Sequence, residues 1–138
     1  MNKLRRIFQA YKKYLFIFLG VVVSILFSVM VIFHFPKFLY FYNSLILDNN
    51  RQDLVVSCNK FIRTKEQALK IKEQLENDFE EYGLMKSHVQ WVEIDYSKRC
   101  KGYYIVVAYN GHRDRVIIEK FLKEKGVWNK YVFALLNV

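Results

Sequence analysis

From Tyr14 to Phe35 the chain runs for 22 residues without a formally charged side chain, interrupted only by Gly20, Ser24, Ser28 and His34. A helix of that length rises about 33 Å, the thickness of a bilayer's hydrocarbon core. A chain of 138 residues is too small to bury so uniformly apolar a helix inside itself. A membrane-spanning helix over 14–35 is therefore expected. A cleaved signal peptide fits poorly, because its apolar region is shorter and ends at small residues. Here the run ends in Val31-Ile32-Phe33-His34-Phe35.

Charge orients the span. Lys3, Arg5, Arg6, Lys12 and Lys13 precede it, with no acid among residues 1–13. The positive-inside rule keeps this basic tail cytoplasmic and exports the chain beyond the span. The net charge of +9 is thus concentrated in the anchor's flank, leaving 17 basic against 13 acidic residues beyond it. That small excess, mixed in sign along the chain, argues against a nucleic-acid partner. With 53% hydrophobic residues, five Gly and one Pro, the remainder is neither disordered nor repetitive.

Pro36 is placed to end or kink the span. Residues 36–50 then read as an aromatic interfacial segment and linker, with Phe38-Leu39-Tyr40-Phe41-Tyr42 at headgroup depth. Within the span, Gly20, Ser24 and Ser28 recur every fourth position, a spacing that lets two helices approach closely and would support a homo-oligomer.

Residues 51–138 read as a folded α+β domain. Asp53–Cys58 is short and β-branched, a first strand. Thr64 with Gln67 three positions on has capping-box spacing, and Ala68, Ile71, Leu75, Phe79 and Tyr82 form one apolar stripe of a helix closed by Gly83. Between Lys86 and Tyr96, Val92, Ile94 and Tyr96 alternate with Glu93 and Asp95, a half-exposed strand. Tyr103–Tyr109 is apolar throughout, as in a central strand. A second helix over 113–125 and a strand over 128–137 complete the order β-α-β-β-α-β. That order predicts a ferredoxin-like domain, with a four-stranded antiparallel sheet and both helices on one face.

Fewer than ninety residues make a limited core, so a covalent constraint is expected. In a ferredoxin-like sheet strands one and three are antiparallel neighbours, which brings Cys58 beside Cys100 and predicts a disulfide in an oxidising exterior. The alternatives are two unpaired thiols or bonds between chains.

No pattern points to an enzyme, a cofactor or a metal. His34, His88 and His112 fall in three different elements, and neither a Cys-x-x-Cys pair nor a glycine-rich phosphate loop occurs. Glu93 and Asp95 share one strand face, but alternating exposed acids are ordinary strand chemistry. The basic run Lys98-Arg99-Cys100-Lys101 reads as a solvated hairpin loop.

The segment Val56-Ser57-Cys58-Asn59-Lys60-Phe61, followed by a helix carrying Glu66-Gln67-Ala68, resembles the opening of SPOR domains, bacterial envelope modules, with a cysteine as in FtsN-type cell-division proteins. Tyr103–Tyr109 and the helix after it resemble the family's second repeat. The chain departs from the family in having Asn59 and Val107 where glycines are usual, Ala108 for a proline and Arg115 for a helix alanine.

The resemblance implies a bacterial inner-membrane protein with a periplasmic domain that binds peptidoglycan glycan strands during division or wall remodelling. Its binding surface would be the sheet face away from the helices, made of Ser57, Asn59, Tyr103, Ile105, Val107 and Tyr109. The short stretch between membrane and domain, at most about 55 Å when extended, favours an alternative. In that reading the domain is a non-enzymatic structural subunit, docking other membrane proteins of a secretion or pilus machine.

Overall fold

The computed structural model describes the backbone of residues 2–138 and the side chains of residues 11–138. The side chains of Lys3, Arg5 and Arg6 lie outside the described residues. The chain divides into two compact units, one ending at Phe35 and one spanning Pro36–Val138.

Helix α1 covers Asn2–Leu45. Its stretch Tyr11–Leu45 has a mean hydropathy of 3.0 over its most apolar window, with none of that window buried, so it is long and apolar enough to cross a membrane. Tyr14 and Phe35, the expected limits of the span, are both solvent-exposed positions of this helix. Pro36 does not end it. Proline removes one donor from the backbone ladder, and an apolar helix absorbs that loss where flanking turns remain paired. The hydroxyls of Ser24 and Ser28 donate to the carbonyls of Gly20 and Ser24, each at 2.8 Å, so the polar groups of the small-residue row are satisfied within the helix.

The expected linker over 36–50 is built into the second unit. Asn43 is buried and donates through Nδ2 to the Leu39 carbonyl at 2.7 Å. Past the helix, the Asn49 amide donates to the Asn43 carbonyl at 2.8 Å, turning the chain towards the sheet. Strand β1, Asn50–Arg51, begins there.

The first strand expected over 53–58 does not form. Residues 52–60 hold two short 3-10 turns, Gln52–Leu54 and Cys58–Lys60. The reason is a competing set of polar partners. Arg51 grips the buried Asp53 carboxylate through two bonds of 2.8 and 2.9 Å, and Arg99 Nη2 donates to the carbonyls of Asp53 and Val56 at 2.9 and 3.1 Å. Those carbonyls are therefore taken by a guanidinium and not by a neighbouring strand.

Helix α2, Lys65–Glu81, starts as the capping spacing predicts, with the Gln67 amide donating to Thr64 Oγ1 at 3.3 Å. Gly83, at φ +67°, reverses the chain after it. Strands β2, Val89–Ser97, and β3, Gly102–Tyr109, form an antiparallel hairpin with Glu93 opposite Val106 and Asp95 opposite Tyr104. Helix α3, His112–Glu124, then crosses back to β4, Phe133–Asn137.

Sheet order corrects the ferredoxin-like expectation. The strands lie β1-β4-β3-β2, and β4 runs parallel to β3, with Val106 beside Ala134 and Val107 beside Leu135. The sheet is therefore mixed, and strands one and three are not neighbours. With the first β-branched run drawn into turns, β4 pairs directly with β3 through the α3 crossover, and the two-residue β1 is left to cap β4's outer edge.

The Cys58–Cys100 disulfide is nevertheless present, with Cα atoms 5.0 Å apart. Its route differs from the one expected. Ile62 makes a two-way backbone bridge to Tyr103, at 2.9 and 2.7 Å, which brings the preceding turn over the start of β3. Gly102 permits that approach, since a Cβ there would sit 2.8 Å from Phe61 Cβ.

Both helices cover one face of the sheet. Ala68, Leu75 and Phe79 from α2, and Ile118, Phe121 and Leu122 from α3, pack with Val92, Ile105, Val107, Tyr109, Phe133 and Leu135. A second, smaller cluster lies on the other face, where Phe61, Cys100, Tyr104, Val106, Val132 and Ala134 come together with the 52–61 turns partly over them.

Candidate binding groove on the sheet

The residues expected to form a common binding face are dispersed. Ile105, Val107 and Tyr109 point into the helix-covered core and are fully buried, and Tyr103 packs at its margin. Ser57 and Asn59 are not buried, but they lie in the turns that replaced the first strand. The expectation had assigned β3 the wrong parity. Side chains alternate across a strand, so with odd positions facing the helices, Tyr104, Val106 and Ala108 face away. Trp91, Glu93 and Asp95 share that face, because they stand opposite Ala108, Val106 and Tyr104. Leu136 and Ala134 from β4 and Arg51 from β1 continue it.

All of these except Ala108 line a groove of about 360 Å³. Its chemistry is graded from one side to the other. On the β2 side, Trp91 is 38% exposed and presents its ring beside the exposed Glu93. The floor is Val106 and Ala134, both buried. Towards β1, Arg51 is held by Asp53, and Tyr104 Oη donates to Asp95 Oδ2 at 2.8 Å while Asp95 Oδ1 accepts the Tyr96 amide at 2.7 Å. Asp95 is thus oriented by two donors. Burial, reinforced by the hydrogen bond to Asp95 and the nearby charge of Asp53, pushes the Tyr104 phenol well above its ordinary value. It stays protonated and keeps donating at neutral pH. The Arg51 guanidinium is held still more firmly protonated, chiefly by its hydrogen bonds to Asp53.

Tyr109 is shifted in the same direction, first by burial and then by the charge of Asp48, whose backbone carbonyl accepts its hydroxyl. Both shifts make the domain sensitive to alkali. An unfolded tyrosine ionises near pH 10, whereas these two remain neutral when folded. Above about pH 10 the unfolded state binds fewer protons than the native state, so stability falls as pH rises. We expect the denaturation midpoint to drop between about pH 10 and 12, and to drop less steeply in Tyr104→Phe. Midpoints measured at several alkaline pH values, with tyrosinate absorbance recorded in parallel, check this.

The histidines do not converge. His88 Nδ1 meets Asp114 Oδ1 at 2.8 Å, and His112 Nδ1 meets Asp48 Oδ1 at 2.9 Å. Among the described residues, no group of three or more His, Cys, Asp or Glu is arranged to hold a metal ion.

Sequence reading missed Trp91 and Arg51. The signal for Trp91 was available, because it has the same parity as Glu93 and Asp95 in the alternating strand, and a large aromatic on a solvent-facing position is informative. Arg51 carried no such signal, since the groove meets it only through β1's pairing with β4. No family model, curated protein or solved structure matches this chain.

Proposed function

We propose that this protein is a single-pass bacterial envelope protein whose exported domain binds a saccharide strand, such as the glycan of peptidoglycan, along the helix-free face of its sheet. The groove edged by Trp91 and Glu93 carries the proposal. An indole face stacks on the C–H face of a pyranose ring, a neighbouring carboxylate accepts from its hydroxyls, and an arginine supplies donors to ring substituents. Trp91, Glu93 with Asp95, and Arg51 supply all three in one groove of small-ligand size. The reading rests on this face chemistry and not on the SPOR-like motif, since that segment forms turns and the sheet order is not ferredoxin-like.

Topology is part of the same proposal. The unbalanced positive charge before the apolar span of α1 favours a cytoplasmic N-terminus, and the Cys58–Cys100 bond favours an oxidising compartment such as the periplasm for the second unit. The Gly20, Ser24 and Ser28 row would serve self-association within the bilayer.

The test is a sacculus pull-down with the full chain in neutral detergent, using intact walls and walls stripped of stem peptides. Wild type should sediment with the walls. Trp91→Ala is expected to reduce the bound fraction about tenfold, as loss of a central aromatic contact does, with an unchanged unfolding midpoint. Equal sedimentation of Trp91→Ala would rule out the groove.

One observation favours the assembly-subunit alternative. Strand β2 has β3 on one side only, and beyond Val89, whose amide and carbonyl pair with Leu84 and Lys86, its outer edge offers backbone to an added strand. Cross-linking from β2 to a partner membrane protein, without retention on walls, would select that reading.

A further inference from the structure

A second cleft, of about 520 Å³, lies where the chain passes from the 3-10 turns into α2 and meets the loop before β4. Lys60, Arg63, Lys70 and Lys130 all line it. Among the described residues, no carboxylate comes within 4.0 Å of any of the four; Lys65, Lys86, Lys98, Lys101 and Arg113 are also without one, but they do not line this cleft, whereas Arg51, Lys72, Arg115, Lys120, Lys123 and Lys125 pair with acids. The four cations share the lining of one concavity, and no carboxylate is paired with them there. The floor is apolar: Phe61 and Ile62 are buried beneath the rim. Gln67 adds an amide, and Tyr131 an aromatic wall with Lys130 Nζ 5.4 Å from its ring centre.

We infer that this cleft binds a phosphate-bearing anion carrying at least two negative charges. A carboxylate offers two oxygens in one plane, whereas a phosphoryl group accepts from donors arriving on several sides. The cleft offers one planar guanidinium fork and three ammonium groups on three different segments, which suits the phosphoryl geometry. The apolar floor suits an organic or sugar moiety carrying that group.

Asp48 and Asn49, where the chain comes off α1, lie against Tyr109 and Asn137, the ends of β3 and β4. The cleft lies at the opposite pole, beside the starts of the same strands, through the Ile62–Tyr103 bridge and the residues preceding Phe133. The eight residues of β3 separate the two poles by about 23 Å. Competition between diphosphate and lipid vesicles distinguishes a free or polymer-borne phosphate from a lipid headgroup.

The experiment is calorimetric titration of sodium diphosphate into the full chain in neutral detergent, at about 50 mM salt. Saturable binding is expected, weakening as salt rises. The double variant Arg63→Gln/Lys130→Gln is expected to lose affinity about tenfold or more, consistent with removing two of the four cations that line the cleft. A control, Lys98→Gln/Lys101→Gln, lowers net charge equally in an exposed loop and should bind as wild type does. All four substituted positions are exposed, and unfolding midpoints verify that the variants fold. No heat of binding up to about 10 mM diphosphate would overturn the inference, as would equal weakening in the control. So would capture of vesicles containing phosphatidylglycerol that diphosphate fails to displace, which would make the ligand a lipid surface. Sacculus binding depends on Trp91 and this titration does not, so the two proposals fail separately.

Discussion

Val107→Asp is expected to abolish the cooperative unfolding transition of the α+β domain. Val107 is 0% exposed, sits between Val92 and Leu135 on the helix-covered face, and has no polar partner within that cluster. A carboxylate there must be buried unpaired or taken up in its protonated form. Either costs at least about 4 kcal/mol, against a total stability of about 5–15 kcal/mol for a small domain. Ile105→Asp should behave alike. By contrast, Ser57→Asp falls on an exposed turn and should change stability by less than about 0.5 kcal/mol. Circular dichroism melts of the three variants in the same detergent decide the matter. If Val107→Asp melted like Ser57→Asp, the assignment of β3's odd positions to the core would be wrong.

The second large effect is expected at the disulfide. Cys58 and Cys100 are 42 residues apart in sequence, and closing a loop of that length removes denatured-state entropy equivalent to about 4 kcal/mol. The bond also has a local role. It pins the turns over residues 52–61 against the start of β3, where Phe61 meets the Tyr104 ring edge-on at 6.1 Å and helps to cover the second cluster. The Cys58→Ser/Cys100→Ser double variant should therefore unfold at markedly lower denaturant concentration. It should also bind a hydrophobic dye before the main transition, as the 52–61 segment lifts from Tyr104 and Val106. Reducing agent added to wild type should reproduce both effects. Identical denaturation curves with and without reductant would show that neighbouring contacts hold the segment without the bond.

Local chemistry made some elements legible in the sequence and left others open. The α2 stripe was legible because Ala68, Leu75 and Phe79 are apolar among charged neighbours, and the structure buries those three. Its start was legible because a Thr64 cap depends only on nearby residues. The β2 parity was legible for the same reason, with Glu93 and Asp95 marking the outer side. In β3 no such contrast exists. From Tyr103 to Tyr109 both faces carry apolar residues, one covered by helices and the other partly by the 52–61 turns. Nothing within that strand distinguishes Val106 from Val107; only its pairing opposite Glu93 does. The candidate groove was displaced by one residue for that reason, and a one-residue error in a strand reverses every side chain.

The first strand failed for a different physical reason. Leu54, Val55 and Val56 have strand-forming character, but strand propensity is a weak preference that tertiary partners override. Arg51 and Arg99, on either side of the segment, capture the Asp53 carboxylate and the carbonyls that a ladder would have used.

The long apolar run, the asymmetric charge before it, the two helices and the presence of an α+β domain were determined by the sequence itself, because each depends on composition or on neighbours within a few residues. The strand order, the parity of β3, the groove beside Trp91 and the unpaired cations around Lys130 were decided only by the tertiary structure. Each of those depends on residues dozens of positions apart in the chain, and no local pattern records which distant backbone or charge will be available when the sheet closes.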